Sequence, residues 1–182
     1  LLEQRSGLRD IYHSRFRYLL IDEYQDTNRL QYRLMRLLTG PKHNVHVTGD
    51  PDQSIYSWRG ADYRNIMDFA KDFENTRVVR LEQNYRSTKT ILAASNALIQ
   101  NNTKRFEKEL FTDNDRGVQL TVKGADNERM EALHVAQGIV TLRTRRVPLS
   151  EMAIFYRTNA QSRSFEEVFM RVGVPYQIVG GV

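Results

Sequence analysis

The sequence predicts an α/β protein with a mainly parallel sheet and flanking helices. Short apolar runs of strand length recur along the chain, and amphipathic stretches of helical period lie between them. Strands and helices alternating at this spacing point to parallel pairing, because a parallel pair needs a crossover connection that is usually a helix. A content of 40% hydrophobic and 27% charged residues supplies a buried core and argues against disorder.

In chain order, residues 18–21 form the first apolar run, and the helical pattern 31–38 follows. A second strand is expected at 45–48 and a helix at 65–73. A third strand is expected at 78–81, a helix at 91–99, and a weaker strand at 118–122. The last part reads as helix 131–142, strand 152–156, helix 165–172 and a weak strand at 176–179. Polar stretches at 113–117 and 143–148 read as loops. Motif density falls after residues 75–90, which places the expected domain division there.

With 27 Lys plus Arg against 22 Asp plus Glu, the net charge is +5, spread over both halves of the chain. That balance permits nucleic-acid binding without requiring it. The absence of Cys excludes a disulfide scaffold, a thiol nucleophile and a Cys-based zinc site. His13, His43, His46 and His134 are too scattered to suggest a metal cluster. The apolar runs are far too short to span a bilayer, so no membrane partner is expected. Leu1 is not an initiator Met, which suggests a segment of a longer protein.

The run Tyr18-Leu19-Leu20-Ile21 delivers Asp22 and Glu23 to a strand end. Ligands of parallel α/β sheets gather at such ends. One carboxylate there can hold Mg²⁺, a hard ion that prefers oxygen, while its neighbour takes the proton of an attacking water. Equally, the two acids can be solvated residues ahead of a helix capped by Asp26, Thr27 or Asn28. The second strand ends in Gly49-Asp50-Pro51-Asp52-Gln53, and Tyr56, Trp58 and Arg59 follow within six residues of Gln53. Gln53 can reach a terminal phosphate or a water beside it. Two aromatic faces and a cation suit single-stranded nucleic acid, whose bases stack while its phosphates meet Arg. Packing of Tyr56 and Trp58 onto the core is the competing reading. The third run leads to Gln83-Asn84-Tyr85-Arg86-Ser87-Thr88, where Ser87 or Thr88 can cap the next helix. Arg86 can meet a phosphate and Tyr85 can stack on a base; a surface ion pair also accounts for Arg86.

Taken together, Ile21 to Asn28 resembles motif II of the UvrD/PcrA/Rep-type superfamily 1 DNA helicases. Gly49 to Ala61 resembles their motif III and Gln83 to Thr88 their motif IV. Ala153 to Arg163 matches a further block, and Tyr176 to Gly181 leads toward the next. The blocks keep family order and spacing over nearly the whole chain. This resemblance implies RecA-like folds of the P-loop NTPase type: residues 1–77 as the C-terminal part of a first motor domain, residues 78–182 as the N-terminal part of a second. It implies ATP and Mg²⁺, with Asp22 serving the metal and Glu23 activating water. Gln53 would sense the γ-phosphate, Tyr85 would stack on adenine and Arg86 would act as an arginine finger. Tyr56, Trp58 and Arg59 would contact DNA from the first domain, Arg157 and Asn159 from the second. The implied partners are single-stranded DNA, single/double-strand junctions and repair proteins, in a bacterial, cytoplasmic, nucleoid-associated setting.

No Gly in the sequence is followed by Lys, so the P-loop Gly-x-x-x-x-Gly-Lys-Ser/Thr is missing from these residues. Met130 stands where the family leads one to expect a charged residue. The segment by itself is therefore expected to be inactive as an ATPase and to self-associate through an open sheet edge. A non-catalytic single-stranded DNA-binding or interaction module derived from a helicase is the alternative; a subunit of a recombination helicase–nuclease is a third reading.

Overall fold

A computed structural model describes residues 1–103 and 105–179. The expected family block at Tyr176 to Gly181 thus falls partly outside the described residues. The chain packs as two compact units, residues 1–120 and 121–182, each with its own core.

In the first unit, β1 (Leu19–Ile21) and β2 (Val45–Val47) pair in parallel, with Leu19 opposite Val45 and Ile21 opposite Val47. Helix α1 (Ser6–Arg15) precedes them, and α2 (Arg29–Leu38) is the crossover between them. The sequence patterns do not single out α1, none of whose residues is buried. Asn28 starts α2 with a capping box: its Oδ1 accepts from the backbone of Leu30 and Gln31 at 2.9 and 3.0 Å, and Gln31 Oε1 accepts from the Asn28 N–H. Of the three caps open to the sequence, Asn28 is the one used.

Tyr24, Met35, Phe69 and Phe73 form the core of this unit, joined by Ile21, Val45, Val47 and Ile66. The expected helix 65–73 is two short ones, α3 (Arg64–Met67) and α4 (Phe69–Asp72). They break at Asp68, whose φ of −96° and ψ of 0° lie at the edge of the helical region. Helix α5 (Lys89–Ile99) begins after Thr88 without a side-chain cap. Its first N–H groups are instead met by loop carbonyls, Lys89 donating to Asp115 and Thr90 to Arg116. The loop comes this close because Gly117, at φ +74°, lacks a Cβ that would sit 2.6 Å from the Thr88 hydroxyl.

The second unit packs α6 (Glu128–Thr144) against α7 (Ser162–Val172). Ala132, Ala136, Ile139, Val168, Phe169 and Val174 fill the space between them. Asn127 caps α6 by accepting from the Met130 N–H; nothing in the structure explains the choice of Met at 130.

Four expected strands, 78–81, 118–122, 152–156 and 176–179, are not strands among the described residues. A strand exists only through a neighbour's hydrogen bonds, and apolar composition does not provide one. Val78, Val79 and Leu81 are exposed, and pairing begins only past them, at a single parallel bridge between Gln83 and Phe111. Residues 152–156 keep the alternation of a one-faced strand, with Met152 and Ile154 against the core and Phe155 exposed. The fold is therefore mixed helix with a small parallel sheet. Asn28→Ala is expected to destabilise the chain by about 1 kcal/mol, the usual cost of losing an N-cap, seen as a lower midpoint in urea unfolding.

Candidate functional site

Parallel pairing brings the two strand ends to the same side of the sheet. The Tyr24 N–H donates to the Thr48 carbonyl at 3.0 Å and the Thr48 N–H to the Ile21 carbonyl at 2.8 Å, so the ladder runs into both turns. Asp22 and Glu23 sit in the first turn and are exposed. Glu23 holds a left-handed backbone at φ +49° and ψ 42°, a conformation that costs a non-glycine residue roughly 1–2 kcal/mol. Asp22 Oδ1 accepts the Glu23 N–H at 2.9 Å, which helps to hold that turn.

Gln53 lies in the second turn, a 3-10 segment over Pro51–Gln53 capped by Asp50. Its Nε2 donates to Asp50 Oδ2 at 2.9 Å, so the amide is aimed at Asp50 in this structure. Lys108 pairs with the other oxygen of Asp50 and lies 3.5 Å from Asp52. Arg105 completes the group at 3.2 Å from Asp52. These four charges are largely buried. Burial alone would raise the Asp50 carboxyl, but hydrogen bonds from Lys108 and Gln53 outweigh it and hold that carboxyl below its usual range.

Downstream of this turn the chain carries Tyr56, Trp58 and Arg59 on a second 3-10 turn, Ser57–Arg59, closed by Gly60 at φ +85°. The Arg59 guanidinium lies 4.5 Å from the Trp58 ring centroid and 5.5 Å from that of Tyr56. Trp58 is 72% exposed, so its ring does not pack on the core of the described residues. The turn is fastened to the first one by Asp62 N–H to the Thr27 carbonyl and by the Asn65 amide to the same carbonyl. An exposed aromatic–cation–aromatic group on an anchored turn is what base stacking with phosphate contact requires.

Tyr85 and Arg86 project into solvent after an Asn84 turn, with Asn84 Oδ1 accepting from Arg86 and Ser87. The Tyr85 hydroxyl donates to Gln83 at 2.8 Å. Among the described residues no hydrogen bond or ion pair joins Tyr85 or Arg86 to Asp22, Glu23 or Gln53. In the second unit, Gln161 accepts from the backbone of Arg157 and Thr158 at 2.9 Å, leaving the Arg157 and Asn159 side chains exposed.

A divalent cation would find Asp22 with one oxygen engaged by the backbone and the other without a partner among the described residues. No group of three metal-ligating side chains exists among those residues. The carboxylate of Asp22 is of the type that Mg²⁺ would use, an ion usually held by one or two carboxylates together with substrate phosphates. Three of the four histidines have ordinary roles: His13 bonds the Leu37 carbonyl, His46 the Thr48 hydroxyl, and His43 meets the Phe73 ring edge-on.

Residues 79–182 match the UvrD-like helicase C-terminal domain, more than half of the chain. The chain belongs to the UvrD-like helicase family. Residues 1–74 match the UvrD/REP helicase N-terminal domain. Similar proteins include ATP-dependent DNA helicase PcrA of Bacillus subtilis (strain 168), 51% identical over 173 residues, covering 94% of this chain and 23% of that protein. PcrA of Leuconostoc citreum is 48% identical over 171 residues, 93% of this chain and 23% of the relative. PcrA of Staphylococcus aureus (strain Mu50 / ATCC 700699) is 48% identical over 181 residues, all of this chain and 25% of the relative. The chain thus spans about a quarter of the length of the relatives it matches. Among the described residues no helix is long and apolar enough to cross a membrane.

Sequence reasoning missed Gln25 and the Asp50–Asp52–Arg105–Lys108 group. Gln25 carried a signal in its motif but no assignable role, since glutamine is ordinarily exposed. Lys108 is 58 residues from Asp50, a separation at which no spacing rule operates. Because the Asp50 carboxyl is depressed on folding, its contribution is full above its unfolded value of about 4 and is lost as pH falls through the lower folded value. Asp50→Asn is therefore expected to cost about 1–3 kcal/mol at pH 7, and the gap from the parent should close below about pH 4 in unfolding curves.

Proposed function

We propose that this segment contributes nucleotide- and DNA-contacting residues to an ATP-dependent DNA helicase that couples ATP hydrolysis to translocation on single-stranded DNA and to duplex unwinding. The supporting observation is the convergence of the Asp22–Glu23 turn and the Gln53 turn at the ends of two parallel strands. In this reading residues 1–77 and 78–182 belong to two successive RecA-like motor domains.

Asp22 would hold Mg²⁺, which neutralises charge on the β- and γ-phosphates when bound. Glu23 takes the proton of the water that attacks the γ-phosphorus, and the bond to the β–γ bridging oxygen breaks as ADP leaves. Gln53 exchanges its bond with Asp50 for one to the γ-phosphate. Arg86, planar and permanently charged, stabilises the charge spread over the transferring phosphoryl oxygens, and Tyr85 stacks on the adenine. Trp58 and Tyr56 stack bases, Arg59 meets the phosphate backbone, and Arg157 and Asn159 contact the strand from the second motor domain. Single/double-strand junctions, repair or replication restart, repair-protein partners and a cytoplasmic, nucleoid-associated setting follow from this reading. Among the described residues β1 and β2 have no further strand beside them, and such open edges support self-association of the isolated segment.

In a full-length helicase carrying this segment, Glu23→Gln is expected to retain ATP binding and to slow steady-state turnover by about 10²–10⁴-fold. Parental turnover in that variant would remove Glu23 from the role of base. Trp58→Ala is expected to weaken single-strand affinity by about 1–3 kcal/mol, measured by fluorescence anisotropy, with little change in DNA-free ATPase. Unchanged affinity would take Trp58 out of the DNA-contacting set.

A further inference from the structure

Gln25 is 1% exposed, and only it and Thr112 are polar and buried among the described residues. An amide taken out of water is costly unless its donors and acceptor are met, and an apolar side chain would fill the same space more cheaply. Both ends of this amide are met, each by a different turn. Its Nε2 donates to Glu23 Oε2 at 2.7 Å and approaches Asp26 Oδ2 at 3.5 Å. Its Oε1 accepts the Asp50 N–H at 3.0 Å. Two carboxylates on one side and an N–H on the other leave a single orientation for the amide. The second turn is also shaped around it, because a Cβ on Gly49 would stand 2.5 Å from Gln25 Oε1.

From Asp50 the connection continues to the Gln53 amide. A continuous run of hydrogen bonds therefore links Glu23 to Gln53 through Gln25 and Asp50. Glu23 Oε1 accepts no hydrogen bond among the described residues, so Gln25 fixes one carboxylate oxygen and leaves the other free for a water.

We propose that Gln25 is a positioning residue for hydrolysis: it orients the Glu23 carboxylate and sets its register against the turn that carries Gln53. This rests on the reading of Glu23 as the base. Gln25 touches neither nucleotide nor water; it acts through Glu23.

The test is a double-mutant cycle on DNA-stimulated ATPase in a full-length helicase carrying this segment. Gln25→Met removes both bonds, whereas Gln25→Glu keeps the length and the acceptor for Asp50 but loses the donor to Glu23. Each variant is expected to lower kcat by about 10²-fold, the scale of a misplaced catalytic group, with KM for ATP unchanged within about two-fold. In a Glu23→Gln background, adding Gln25→Met should lower the rate by less than about two-fold, because a residue acting through Glu23 has nothing left to position. A merely structural glutamine would multiply its loss onto that of Glu23→Gln. Multiplicative losses, a parental kcat in either Gln25 variant, or failure of both variants to fold would overturn the proposal while leaving the base in place. Parental turnover by Glu23→Gln alone would overturn the assignment of the base, and this inference with it.

Discussion

The strand-end turns of the candidate site depend on the parallel, in-register pairing of Leu19–Ile21 with Val45–Val47. An antiparallel pair would send the two following turns to opposite ends of the sheet. Parallel pairing sends both to one end, and the hydrogen bonds of Tyr24 and Thr48 carry the ladder into them. Tyr24, fully buried against Phe69, then pins the first turn to the core. With that anchor in place, the left-handed Glu23 is held from both sides, with one carboxylate oxygen on the Gln25 amide while the residue stays exposed.

The second turn is fixed by charge more than by apolar packing. Asp50 and Asp52 are tied to Lys108 and Arg105, which lie beyond the stretch matched by the N-terminal helicase domain and within the stretch matched by the C-terminal one. Removing one member of a largely buried group like this leaves its partner uncompensated, which is costlier than never having had the pair. The same turn leads directly into Trp58 and Arg59. A displacement of Gln53 would thus be felt within a few residues by the side chains proposed to hold DNA, with no need for a long relay.

Much of this was legible in the sequence. The runs ending at Ile21 and Thr48, the helical patterns behind them and the acids and amides that follow are local features, readable from period and spacing. Tertiary facts were not. Whether residues 78–81 or 118–122 form strands depends on a neighbouring strand, and among the described residues they have none beyond the Gln83–Phe111 bridge. The cap of α5 comes from carbonyls at Asp115 and Arg116, more than twenty residues away, although Ser87 and Thr88 are the residues that composition favours. The sequence assigns Gln25 no role of its own; the geometry shows it closed between two turns.

If the two strand-end turns form one nucleotide-facing surface, they must respond to nucleotide together. Hydrogen–deuterium exchange on a full-length helicase carrying this segment, with and without a non-hydrolysable ATP analogue and Mg²⁺, measures that directly. Concerted protection of the amides across residues 22–26 and 49–53 is the predicted result. Protection of one turn without the other, or of neither while the analogue is bound, would contradict it.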